Sequence, residues 1–291
     1  MSSRRSLLLA AMSAASASLL SLAGCVDSDA VAPESSASLA RAGYDSPGTS
    51  RQYGTPTALG RGKARTYVVT DTKDGKTPLE IGVAFDETVL EGLGSDMQML
   101  HLPFPGKGPS PYTFMMLDWN PQGHEPPHVY DEPHFDFHFY TVPEDDVMAI
   151  TPWAGPPPAA AFIPPADAPA GYFSGPPVPM MGTHWLCGCA PELARLGNPN
   201  WASLPKFDKT FIYGSWNGKW TFLEPMITRE YLLSLKSAVI TSFEQTIPTL
   251  TNPAAAGNFG KAGWYPARFR IVYDAQAKEY RIAIFNLSWA Q

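Results

Sequence analysis

A strictly alternating run in the middle of the chain leaves little choice of secondary structure. From His134 to Tyr140 the sequence reads His-Phe-Asp-Phe-His-Phe-Tyr. Side chains of a β-strand point to opposite faces with a period of two. The run therefore predicts a strand whose phenylalanines pack in a core and whose other face carries His134, Asp136 and His138. If that face is buried, its polar groups need partners.

Strand and turn signals also dominate the chain on both sides of this run. Alternating segments flank three turn sequences, and each pair of segments predicts a β-hairpin. The three turns are Lys73-Asp74-Gly75-Lys76, Trp216-Asn217-Gly218-Lys219 and residues 274–278. Two more apolar runs have the length of strands, Met97–Leu102 and Thr113–Trp119.

Only one segment has a clear helical signature. Thr228 is a suitable N-cap for a helix over Arg229–Lys236, with Leu232 and Leu235 on one face. By contrast, residues Ala154–Met181 are dense in proline, which cannot donate to a β-ladder, so they predict a loop rather than a central strand. Residues 61–291 are thus predicted to form one mainly β domain, a jelly-roll or cupin-like sandwich or barrel with one or two short helices.

The N-terminus has the features of an export signal. Arg4 and Arg5 precede an uncharged apolar and small-residue stretch, Leu7–Leu22, and Ala23-Gly24 lead directly into Cys25. This order predicts a cleaved signal peptide over residues 1–24 and a lipid on Cys25, which would anchor the protein to a membrane. An ordinary signal peptide with an incidental cysteine is the alternative. The arginine pair also fits a twin-arginine signal, which would export the protein folded.

Composition predicts a soluble domain after the lipid anchor. Residues 25–60 start at Cys25 and are rich in Ser, Ala and Gly, which predicts a flexible tether. No later stretch approaches the roughly 20 apolar residues of a membrane-spanning helix. Removal of residues 1–24 takes away two arginines and no acidic residue, so the net charge changes from −6 to −8. An acidic chain without basic clusters is a poor partner for nucleic acid.

The histidines indicate a metal site. Four of the six lie between His124 and His138. Residues i and i+4 of a strand are about 13 Å apart, too far for His134 and His138 to share an ion with bonds of about 2.1 Å. Asp136 is therefore expected to pair with one of these two histidines.

More distant parts of the chain would complete that site. His184 follows the proline-rich loop, and Glu224 ends an apolar run. Two histidines with two carboxylates suit a divalent ion such as Mn, Fe or Zn. If the ion serves catalysis, Glu125 or His128 is expected to move protons. The alternative is a metal-free hydrogen-bonded network or a subunit interface built from the same polar face.

Two cysteines remain after Cys25, in Cys187-Gly188-Cys189. Outside the cytoplasm they can form a disulfide, and a Cys-x-Cys pair can also bind a metal. The sequence leaves both open.

Several boxes of the chain resemble a family of exported bacterial proteins known only as a domain of unknown function. The boxes are Trp119-Asn120-Pro121, Gly123-His124-Glu125-Pro126, Tyr130-Asp131, residues 133–140, residues 181–185, residues 211–214 and residues 222–227. The resemblance covers most of residues 61–291 and implies a mainly β domain, with a homo-oligomer as one expectation, but no established activity. Relatives tend to carry Asp three residues after the histidine of the Gly-x-His box, where this chain has Cys187. The cupin pattern is only loosely similar, with Asp136-x-His138 in place of its His-x-His pair.

The sequence as a whole predicts a membrane-anchored lipoprotein whose β-domain binds a divalent metal and a small molecule, with no reaction specified. A non-catalytic surface-binding or oligomeric structural lipoprotein without metal is the alternative. No nucleophile elbow, phosphate loop or dinucleotide fingerprint supports another chemistry.

Overall fold

The computed structural model describes residues 47–150, 155–165, 171–238, 242–247 and 261–290. The predicted signal segment, Cys25 and most of the predicted tether lie outside these ranges. Within them, none of the helices has the length and apolar character needed to cross a membrane.

Two antiparallel seven-stranded sheets make up the fold. Sheet A contains β1 (Thr49–Tyr53), β2 (Thr57–Leu59), β3 (Gly62–Asp71), β4 (Pro78–Asp86), β12 (Ser242–Thr246), β13 (Gly263–Asp274) and β14 (Glu279–Ala290). Its order is β1-β3-β4-β14-β13-β12, and β2 also pairs with β3. Sheet B contains β5 (Gln98–Pro103), β6 (Phe114–Asn120), β7 (His134–Tyr140), β8 (Tyr172–Val178), β9 (Gly182–Cys187), β10 (Lys209–Trp216) and β11 (Lys219–Thr228), in the order β5-β6-β7-β11-β10-β9-β8.

Aromatic side chains join the two sheets into a sandwich. The Phe85 ring of β4 packs on Phe135 and Phe137 of β7, with ring centroids 6.0 and 6.3 Å apart. These rings belong to the main buried apolar cluster, together with Phe139. The predicted orientation of β7 is therefore confirmed, and so is the mainly β sandwich class.

Local sequence signals placed the hairpins correctly. The pairs β3–β4, β10–β11 and β13–β14 are all antiparallel hairpins. Asn217 and Gly218 have φ of 50° and 76°, as the tight turn between β10 and β11 requires. Helix α2 (Arg229–Ser237) begins after Thr228, whose hydroxyl accepts the Tyr231 N–H at 3.1 Å. The N-cap prediction is confirmed.

The ordered sheet starts earlier than the predicted boundary at residue 61. Strands β1 and β2 lie inside the segment assigned to a tether, and both pair with β3. The polar residues of β1 suit an edge of a sheet, where one face stays in water, and β2 is only three residues long. Composition alone does not distinguish such strands from a linker.

The proline-rich segment also contains regular structure. Strand β8 lies at the edge of sheet B, with a register irregularity between Ser174 and Pro177. The prediction of a loop is therefore wrong for residues 172–178, although the strand is not a central one. An edge position tolerates prolines because one side of the strand has no ladder to complete. A second α-helix, α1 (Glu144–Met148), and a short 3-10 helix over Ala159–Phe162 lie between β7 and β8 in the chain.

The face of sheet B that is turned away from sheet A is also buried. One apolar cluster there includes Phe114, Tyr140, Phe222 and Val147 of α1. Another includes Val129, Tyr130 and Phe207 from the connecting loops. We call this face the outer face of sheet B. It carries His134, Asp136 and His138.

Candidate metal centre

Strand register brings the polar residues of four strands together on the outer face of sheet B. Asp118 of β6 lies opposite Asp136 of β7. Glu224 of β11 is paired with Ile212 of β10, and His184 of β9 with Gly214 of β10. The polar side chains on the four strands β6, β7, β9 and β11 are largely buried.

Three of these polar residues form what we call the first group: His124, His134 and Asp136. Nε2 of His134 lies 3.1 Å from Oδ1 of Asp136, and Nε2 of His124 lies 3.3 Å from Oδ2 of the same carboxylate. Asn120 also donates to Oδ2, at 2.7 Å. The three potential ligand atoms lie within 4.8 Å of one another, so the group could hold a metal ion.

Backbone carbonyls hold the two imidazole rings of the first group. Nδ1 of His134 is 2.7 Å from the carbonyl oxygen of Glu132, and Nδ1 of His124 is 2.7 Å from that of Glu125. A contact with a carbonyl requires a proton on Nδ1, and this leaves Nε2 directed at Asp136 in both rings. A ligand histidine commonly has such a partner for its other ring nitrogen.

Electrostatics in the first group favour the charged forms of Asp136 and His124. Burial alone would raise the pKa of Asp136, but the charges and hydrogen bonds of His134 and His124 outweigh it and hold this pKa well below its usual range. Burial opposes the charged form of His124, yet its contact with Asp136 raises its pKa. The side chain of His124 is 38% exposed, so the group is open to solvent on that side.

The second group contains His138, His184 and Glu224. Nε2 of His138 is 3.4 Å from Oε1 of Glu224, and Nε2 of His184 is 3.7 Å from Oε2. These three residues also place a potential ligand atom each within 4.8 Å of the others. Among the described residues, both ring nitrogens of His138 and Oε2 of Glu224 make no hydrogen bond of normal geometry, although the backbone of Met116 lies near the His138 ring. Buried polar atoms without partners are uncommon and point to a bound water or ion.

Burial keeps the second group neutral. It lowers the pKa of His138 to about 4 and that of His184 to about 3. Burial and the nearby carboxylates Asp136 and Asp118 raise the pKa of Glu224 well above its usual range. Neutral imidazole is the form that binds metals, so both rings are ready to act as ligands.

The predicted ligands therefore divide between two groups, and the prediction of one site that combines Asp136 with His184 and Glu224 is wrong. His134 and His138 do not share a group, as the strand spacing predicted. Asp136 pairs with His134, the second of the two pairings considered. His184 and Glu224 join His138 without Asp136, so each of the five predicted ligands belongs to one of the two groups.

The two predicted proton-transfer residues lie elsewhere. Glu125 is exposed. His128 has φ of 69° and stacks on Trp201, with ring centroids 4.1 Å apart, and its Nδ1 is 3.5 Å from Asp131. Neither residue belongs to the first or the second group.

Two residues near these groups were not among the predicted ligands. His124 reaches the first group because the segment around it folds back, with an antiparallel bridge to Tyr130 and φ of 67° at Gly123. Asp118 is the single charged residue of strand β6, whose other residues except Asn120 are apolar, and that isolated charge was an available signal.

Cys187 and Cys189 form a disulfide at the end of β9. This is the first of the two alternatives for the pair, and it removes both sulfurs from the possible metal ligands.

Comparison with known proteins adds no assignment, since no family model, no curated protein and no solved structure matches this chain. The resemblance to the exported family of unknown function stays a prediction.

Proposed function

We propose that this protein binds a divalent metal ion, with His124, His134 and Asp136 as ligands. One observation carries the proposal: two imidazole Nε2 atoms and a carboxylate converge while both Nδ1 atoms face backbone carbonyls. Neutral rings in this tautomer would direct lone pairs at an anion, which is repulsive. A positive charge must lie between them, and either an ion or protons on Nε2 can supply it.

The spacing of the ligand atoms is compatible with an ion. An ion with bonds of about 2.1 Å in tetrahedral or octahedral geometry holds neighbouring ligand atoms roughly 3.0 to 3.4 Å apart. The two separations in the first group, 3.1 Å to Oδ1 and 3.3 Å to Oδ2 of Asp136, fall in that range, which overlaps that of long N–H···O hydrogen bonds. A set of two nitrogens and a carboxylate suits Mn, Fe or Zn better than Mg or Ca, which prefer oxygen ligands.

The proposal also covers what the bound ion could act on and where the protein is located. The exposed side of His124 leaves room for water or a small-molecule ligand, on which a bound ion would act as a Lewis acid. The signal and Cys25 support a lipid-anchored protein outside the cytoplasm. Homo-oligomerisation and the twin-arginine route remain predictions of the sequence.

A metal-binding assay tests the proposal directly. We would purify the full chain in detergent, strip it with chelator and titrate it with Mn²⁺, Fe²⁺ or Zn²⁺ by calorimetry. His124→Ala should weaken binding at the first group by about 10- to 100-fold or more, since even the loss of a residue that supports a ligand costs this much. The side chain of His124 is 38% exposed, so this variant should fold like the wild type.

His101→Ala is the matched control. His101 is a histidine of similar side-chain exposure, 33%, and its Nδ1 contacts Glu144 rather than either group. This variant should bind like the wild type. If stripped wild type binds none of the three ions, the proposal is wrong, and a metal-free network with protonated histidines becomes the better account.

The anchor has its own test. Cys25→Ala should abolish acylation, so the protein should accumulate in unprocessed form or leave the membrane fraction. Fractionation of cells followed by immunoblotting measures this. A variant that sediments with membranes as the wild type does would contradict the lipoprotein assignment.

A further inference from the structure

We infer that the second group is a second, buried metal site and that Asp118 is the carboxylate that positions His138 in it. The site goes beyond the proposed function, which needs only the first group. It also gives a role to Asp118, which is a member of neither group.

The ring of His138 separates two carboxylates. Its Nδ1 lies 3.6 Å from Oδ2 of Asp118, while its Nε2 lies 3.4 Å from Oε1 of Glu224. An ion bound by one nitrogen of His138 can therefore share only one of these two carboxylates as a ligand. An ion bound by Nε2 would lie on the side of Glu224 and His184, and Asp118 would stand behind the ring.

This is the arrangement of a carboxylate–histidine–metal triad, in which the ligand ring donates its other N–H to an acid. The present 3.6 Å is longer than a hydrogen bond. In the proposed site this gap closes to a hydrogen bond. The bond would place the proton of His138 on Nδ1 and direct the lone pair of Nε2 at the ion.

The positioning role would account for an otherwise unpartnered side chain of Asp118. Its side chain is fully buried, and in the described ranges neither of its oxygens accepts a hydrogen bond and no lysine or arginine forms an ion pair with it. A buried carboxylate without partners is costly. Asp136, directly opposite, is already bound by Asn120, His124 and His134, so it cannot take over this role.

The site would select transition metals. Its ligands come from three strands, His138 of β7, His184 of β9 and Glu224 of β11, and offer two nitrogens and a carboxylate. The first group offers the same set. Two ions per chain are therefore expected, one at the open group and one at the buried group.

The experiment first isolates the second site. In the full-length His124→Ala variant, in which the first group is impaired, a titration with Co²⁺ should still show one tightly bound ion, with visible absorption bands that report its ligands. Wild type should bind two. Addition of His184→Ala should remove the remaining ion.

Asp118→Asn in the His124→Ala background tests the positioning role. The substitution keeps the shape of the side chain, so the metal-free protein should still fold, and Co²⁺ affinity at the second group should fall about 10- to 100-fold with a shift in the bands. In the otherwise wild-type chain, Asp118→Asn should leave the first ion unaffected.

The outcomes separate the two proposals. One ion in wild type that His124→Ala abolishes would uphold the first site and overturn the second. Two ions with Co²⁺ affinity unchanged by Asp118→Asn would overturn the positioning role. A wild type that binds one ion, lost with His184→Ala but kept with His124→Ala, would uphold the second site and overturn the first.

Discussion

At the scale of single residues, Gly214 shows how closely the second group is packed. A Cβ at this position would lie 2.0 Å from the Phe222 ring, which crosses the glycine. That ring also packs on His138 and His184, with centroids 4.8 and 5.3 Å away. Any side chain at residue 214 must therefore displace the aromatic wall of the second group.

Gly214→Ala should destabilise the protein by about 1 to 3 kcal/mol, since overpacking a buried site costs this much. It should also weaken the second ion while the first is retained. Thermal unfolding and Co²⁺ titration measure the two effects. Gly155→Ala is the control, because a Cβ there meets nothing within 4 Å. Equal melting temperatures of the two variants would show that the Phe222 ring yields freely.

The orientation of single residues was predictable, but their partners were not. The period of two along β7 places His134, Asp136 and His138 on one face without any tertiary information. The pairing of Asp136 with Asp118 depends on the register between β6 and β7, which local sequence does not specify. His124 depends on a turn around a glycine with positive φ, and its place could be known only from the folded loop.

At the scale of elements, the hydroxyl of Thr228 caps the N-terminus of α2. Thr228 accepts the Tyr231 N–H at 3.1 Å and donates to the carbonyl oxygen of Asp208, also at 3.1 Å. Thr228→Ala removes both bonds and should cost about 1 kcal/mol, the usual worth of an N-cap. Thr228→Ser keeps the hydroxyl and should retain most of the stability. Urea unfolding of both variants measures the difference, and equal losses would mean that the methyl group matters more than the cap.

Elements with strong local chemistry were the predictable ones. Asn217-Gly218 and the Thr228 cap each fix their own backbone, so the β10–β11 hairpin and α2 followed from sequence. Strands β1, β2 and β8 did not, because they are edge strands whose residues lack a continuous apolar face. Such strands form only when a neighbouring strand supplies their hydrogen bonds, and the identity of that neighbour depends on the tertiary fold.

At the scale of the whole molecule, the sandwich has two buried layers of different character. Between the sheets lies an aromatic and aliphatic core that includes Phe85, Phe135 and Phe137. On the outer face of sheet B, two smaller apolar clusters flank the polar groups. Both proposed ions would sit in this outer layer. Their ligands come from β7, β9, β11 and the loop that carries His124, segments distant in sequence that only the native fold brings together.

A bound ion should therefore stabilise the folded state as a whole. Binding to the native state alone contributes RT ln(1 + [L]/Kd), about 2.7 kcal/mol for each site at a hundredfold excess over Kd. In a domain of this size about 1 kcal/mol shifts the melting temperature by roughly 2 to 4 °C, so Zn²⁺ or Mn²⁺ should raise it by at least several degrees over chelated protein. His124→Ala should remove part of this rise and His101→Ala none of it. Mg²⁺ should have little effect, since both groups rely on nitrogen ligands. Scanning calorimetry of stripped protein with each ion measures the shifts, and a melting temperature indifferent to all of them would argue against an ion at either group.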